Sequence, residues 1–98
     1  MFAITAIIRV RPHAVDIARN SLISIVEAVR ATEPQTVSYF VTQSANDPCV
    51  FTTFERFVDR AAMERHNGSE AVARFVREVG PHLDGDLAIH VGEEVAIK

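Results

Sequence analysis

The apolar residues of this chain change their spacing in an order that few folds can satisfy. They recur at every second position, then at helical steps, then at every second position in two adjacent segments, then at helical steps again and finally at every second position. Strands bury alternate residues and helices bury a stripe, so the pattern reads β-α-β-β-α-β. Phe2, Ile4, Ala6, Ile8 and Val10 form one face of a strand over Phe2–Arg11, with Ala3, Thr5, Ile7, Arg9 and Arg11 on the other. Pro12 has no N–H for a strand ladder and suits the first turn of a helix. His13–Thr32 follows as that helix, with Val15, Ala18, Leu22, Ile25, Val26 and Val29 on one stripe. Glu33-Pro34 stops it, because the residue before proline disfavours helical angles. Val37–Ser44 and Val50–Phe57 read as an antiparallel hairpin across Ala45-Asn46-Asp47-Pro48. In the first of these, Val37, Tyr39 and Val41 share one face.

Asp59 then caps a short helix to His66, and Asn67-Gly68 interrupts it. Ser69 caps the next helix, whose stripe is Val72, Phe75, Val76 and Val79, and Gly80-Pro81 ends it. His82–Gly85 is a loop, and Asp86–Ile97 reads as a last strand with Leu87, Ile89, Val91, Val95 and Ile97 in register. The fold expected is α+β and ferredoxin-like, a single domain over residues 1–98 with helices on one face of a four-stranded antiparallel sheet. The other face still carries Phe, Val and Ile among Thr and Ser, too apolar to stand uncovered. A second copy of the sheet is the simplest cover, so a homodimer is expected.

Composition narrows the functional classes. A chain that is 48% apolar with a net charge of only −3 is not of the disordered type. The acidic balance and scattered Lys and Arg argue against nucleic acid, which attracts a basic face. No apolar run approaches a membrane span, and Met1–Ile8 has no positive segment before it and no small-residue cleavage site after it. Cys49 is the lone cysteine, so no disulfide framework exists, and a cytoplasmic location is expected. His13, His66, His82 and His90 show no paired ligand spacing, and no glycine-rich phosphate loop occurs. Neither a metal nor an organic cofactor is therefore expected.

Between Glu33 and Phe75 the chain resembles a known family. The segments EPQTVSYFV and FTTFERFVDRAAMERHNGSEAVARF are similar to the antibiotic biosynthesis monooxygenase domain. Glu33, Tyr39, Phe54, Glu55, Phe57, Ala62, His66, Ser69 and Phe75 match its pattern in order, and Pro12 sits at its strand-to-helix turn. Gln35 stands near the family's usual glycine, Phe57 stands where tryptophan is common, and strand one has no asparagine. The last two departures set haem degradation aside. The resemblance implies a dimeric α+β barrel with a pocket between helices and sheet in each subunit. It also implies cofactor-free oxygenation of quinols, anthrones or other polyphenols, with dioxygen as second substrate. An isomerase on a small metabolite and a non-catalytic binder of aromatic ligands are the alternatives.

His66 is the leading chemical candidate, either as a proton-transfer group facing the pocket or as a cation capping its helix. In the first case His66→Ala should cut turnover and leave the melting temperature nearly unchanged. Tyr39 either bonds a phenolic or quinone oxygen or packs in a half-buried strand. Asn67 either donates to a substrate carbonyl or sits left-handed at a helix end. Phe54, Phe57 and Phe75 either line an aromatic pocket or belong to an ordinary core. Glu55 is either a pocket carboxylate or, by preference, the partner of an arginine across the dimer interface.

Overall fold

A computed structural model describes all 98 residues. Strand β1 (Phe2–Arg9) leads through a 3₁₀ turn at Pro12–Ala14 into helix α1 (Val15–Thr32). The hairpin β2 (Thr36–Gln43) and β3 (Val50–Phe57) follows, then α2 (Arg60–Asn67), α3 (Glu70–Val79) and β4 (Ala88–Glu93). All pairings are antiparallel and the sheet order is β2-β3-β1-β4. This is the ferredoxin-like order, with the region after β3 split into two helices. No helix is long and apolar enough to cross a membrane.

Local chemistry accounts for the element ends. Asp59 accepts the Ala62 N–H at 2.8 Å, and Ser69 accepts the Val72 N–H at 3.3 Å, so each short helix begins on a side-chain cap. At the end of α1 the Glu33 N–H still bonds the Val29 carbonyl at 2.9 Å before Pro34 turns the chain away. The main core joins Ile8 and Val10 of the first strand region to Leu22, Ile25 and Val29 of α1 and to Phe75 and Val79 of α3. A second, smaller cluster gathers Ile4, Phe57, Ala62 and Met63 under α2.

Two boundaries differ from the pattern. The last strand is six residues rather than the whole of Asp86–Ile97, and Val95 and Ile97 lie beyond it, exposed. Its only neighbour in the sheet is β1, paired from Ile7–Ala88 to Phe2–Glu93, and the Glu94 N–H adds a bond to the Met1 carbonyl. The second irregularity is a bulge in β2 between Thr36 and Ser38. An extra residue breaks strict alternation, so Thr36 and Tyr39, three apart, both face the helices while Val37 is turned to solvent.

Candidate active site

The alternation of β3 directs Phe51, Thr53, Glu55 and Phe57 toward the helices, and all four are buried. Phe51 and Phe57 belong in a core; Thr53 and Glu55 need partners there, since a buried carboxylate is costly unless bonded. The Thr53 hydroxyl donates to Glu55 Oε2 at 2.6 Å. The other oxygen, Oε1, lies 3.3 Å from His66 Nε2. His66 sits in the last turn of α2, on the same inward stripe as Ala62 and Met63, and is 2% exposed. Its second nitrogen, Nδ1, lies 2.9 Å from Glu33 Oε1, and the same oxygen accepts the Thr36 hydroxyl at 2.8 Å. One imidazole thus stands between two carboxylates, each anchored by a threonine.

Aromatic rings enclose this assembly. The Tyr39 ring centroid is 5.2 Å from that of His66, and the Phe57 centroid is 5.4 Å away. Burial works against the imidazolium, but the hydrogen bond and charge of Glu55, joined by those of Glu33, outweigh it. The His66 pKa is raised above its ordinary 6.5. Burial, reinforced by the charges of Glu55 and Glu33, pushes the Tyr39 phenol far up, so Tyr39 stays a neutral donor.

Tyr39, Thr53, Glu55 and His66 form the polar end of a cavity of about 280 Å³ between sheet and helices. Of its 16 lining residues 12 are hydrophobic, so the few polar groups orient whatever enters. Ile4, Ala6 and Ile8 form the floor, Leu22 and Ile25 one wall, and Val72, Phe75 and Val76 the other. Leu87, Ile89 and Val91 edge the cavity where β4 extends past the helices, and Ile89 and Val91 are more than half exposed.

The sequence-derived candidates separate cleanly. Tyr39, His66, Asn67 and Phe75 all line the cavity. Phe57 does not; it is wholly buried behind His66 in the smaller core cluster. Phe54 points to the opposite face of the sheet, where it stacks on Phe40 at 4.8 Å. Asn67 closes α2 without a left-handed backbone, because Gly85 is the one residue with positive φ. The preferred reading of Glu55 is overturned: it pairs inward with His66 and Thr53 rather than outward with an arginine, because its strand parity matches Phe57 and not Phe54. The anchoring threonines were not singled out. The alternation of β3 puts Thr53 on the same face as Glu55, a signal present in the sequence, whereas Thr36 reaches Glu33 only because of the bulge.

A sequence model described as antibiotic biosynthesis monooxygenase matches residues 1–78. A crystal structure of an antibiotic biosynthesis monooxygenase is 28% identical, with a TM-score of 0.90, covering 98% of this chain and 100% of that one. The Rv0793 protein of Mycobacterium tuberculosis is 27% identical with a TM-score of 0.89, over 98% of this chain and 96% of its own. The PA3566 protein of Pseudomonas aeruginosa is 26% identical with a TM-score of 0.86, over 97% and 94%. Among curated proteins none matches.

Proposed function

Since the chain belongs to the antibiotic biosynthesis monooxygenase family, we propose that it oxygenates an electron-rich aromatic substrate, a quinol, anthrone or related polyphenol, without a cofactor. The observation that carries this reading is the buried His66–Glu55 pair at the polar end of an apolar cavity, with Glu33 bonded to His66 from behind. The Nε2 side of His66, with Glu55 beside it, takes the acidic proton of the substrate. Tyr39 and Asn67 bond the substrate oxygens, and Phe75 packs on its rings.

With an anthrone the atoms balance as follows. The carbanion left by proton removal passes one electron to dioxygen, and the carbon radical and superoxide join in a C–O bond. The peroxide takes the proton back. Loss of the second C–H proton with cleavage of the O–O bond forms the carbonyl and releases water. The apolar walls keep bulk water from the carbanion and the peroxide. Two sheets packed across their outer faces, as a homodimer, would cover Ile7 and Phe40, which the helices leave exposed.

The test is oxygen uptake with anthrone and a panel of quinols, using protein stripped of bound small molecules by dialysis against chelator. Protein-dependent uptake with quinone formation supports the reading. No uptake with any of them, while the ligands still bind, would assign the cavity to binding alone.

A further inference from the structure

We propose that Glu33 is the positioning residue of this site: it holds the Nδ1–H of His66 and thereby leaves Nε2, the nitrogen turned toward Glu55 and the cavity, as the one that gains and loses a proton. The inference rests on the proton-transfer role given to His66, but its geometry stands apart from any substrate.

A neutral imidazole carries a single proton, and the hydrogen bond made by one nitrogen decides which tautomer is present. His66 has a carboxylate at each nitrogen, so the two compete for that proton. The contacts are unequal. Nδ1 to Glu33 is 2.9 Å, whereas Nε2 to Glu55 is 3.3 Å. The shorter, charge-assisted bond wins the proton. Glu33 is also held in place: Thr36 donates to the very oxygen that meets Nδ1, and the β2 bulge is what brings Thr36 to that face. The Glu55 carboxylate shares its charge with the Thr53 hydroxyl and stands on the cavity wall.

Glu33 itself does not line the cavity. It lies at the start of the α1–β2 turn and lines clefts on the outside of the molecule, one of them shared with Arg65 and Ser69. It therefore acts through His66 and does not touch the substrate. The charged and titratable groups facing the imidazole are Glu33 from the turn after α1, Tyr39 from β2 and Glu55 from β3; within α2, the cleft-lining Arg65 directly precedes it.

The experiment compares wild type with Glu33→Gln and Glu33→Ala, using protein labelled with ¹⁵N-histidine. Gln keeps an acceptor for Nδ1–H but removes the charge; Ala removes both. In ligand-free wild type, the neutral form of His66 should show a protonated Nδ1 by ring ¹⁵N shifts. Glu33→Gln should keep that tautomer and titrate at lower pH. Glu33→Ala should move the proton to Nε2, toward Glu55. With anthrone, kcat of the Ala variant should fall roughly tenfold or more at little change in KM, and the Gln variant should retain more of it. A wild-type spectrum with the proton on Nε2, or an Ala variant with unchanged tautomer and titration, overturns the proposal. Should the Ala variant not fold by circular dichroism, the wild-type tautomer and the Gln titration decide alone. If no anthrone turnover is seen in wild type, the oxygenase reading fails while the spectra still judge Glu33.

Discussion

Strand β3 shows two faces of one sheet put to different uses within eight residues. Its inward side carries Phe51, Thr53, Glu55 and Phe57, all buried, and the two polar ones are fully bonded. Its outward side carries Thr52, Phe54 and Arg56; Arg56 reaches Glu94 at 2.5 Å, and Phe54 stacks on an exposed Phe40. Each side breaks the simple rule of apolar inside and polar outside. The inner face buries charge where a solvent-free proton acceptor is useful. The outer face shows rings and Ile7 to water, which is expected of a surface that meets another surface.

Changes on the inner face should give the largest effects. Glu55→Gln keeps the shape and the bond to Thr53 but removes the carboxylate charge beside Nε2 of His66; turnover should fall by ~10²–10⁴, read as oxygen uptake at saturating anthrone. Turnover within a factor of two of wild type would remove Glu55 from the chemistry. His66→Ala is the next most severe. It leaves Glu33 and Glu55 facing each other with no cation, and breaking a buried pair costs about 3–5 kcal/mol. The melting temperature should drop by tens of degrees, since each kcal/mol moves a domain of this size by about 4–8 °C. The burial of His66 between two carboxylates thus replaces the expectation of an unchanged melting temperature.

On the outer face, Phe40→Arg should prevent the proposed sheet-to-sheet homodimer with little change in the fold of each chain. A central buried aromatic at an interface commonly contributes about 2 kcal/mol or more. Sedimentation velocity at micromolar concentration reads this directly, and an unchanged sedimentation coefficient would move the interface elsewhere.

The pH dependence separates the faces more finely. The folded state holds the His66 proton more tightly than the unfolded chain, because its pKa is raised. That stabilisation is complete below about pH 6.5 and is lost as pH rises through the folded value. Melting temperature should therefore decline above pH 6.5 in wild type and stay level over the same range in His66→Gln. Turnover has the opposite slope, since the base must first lose its proton. The smallest effect is expected for Phe54→Leu: stability within about 1.5 kcal/mol and turnover unaltered. A large loss of turnover would bring Phe54 into the site from the far face.

How much of this was legible in advance depends on distance along the chain. Asp59, Ser69, Pro12 and Glu33-Pro34 act on their immediate neighbours, so the helix starts and stops could be read directly. The alternation of β3 is equally local, but it was not used to assign Glu55 to a face. What misled was the assumption that a strand carboxylate finds its cation across an interface. Its partner is a histidine eleven residues on, in α2.

The sequence by itself determined the element order, the sheet composition and the stripe that turns His66 inward, because periodicity and capping are local properties. Only the tertiary structure decided which rings line the cavity, since Phe57 and Phe75 look alike in a sequence and differ in what lies in front of them. It alone introduced the bulge that swings Thr36 under Glu33, and the register with β1 that ends β4 at Glu93. Above all it brought Glu33, Glu55 and His66, spread over 33 residues, within hydrogen-bonding reach. Their approach depends on α2 folding back over β2 and β3, and chain folding of that kind leaves no local mark.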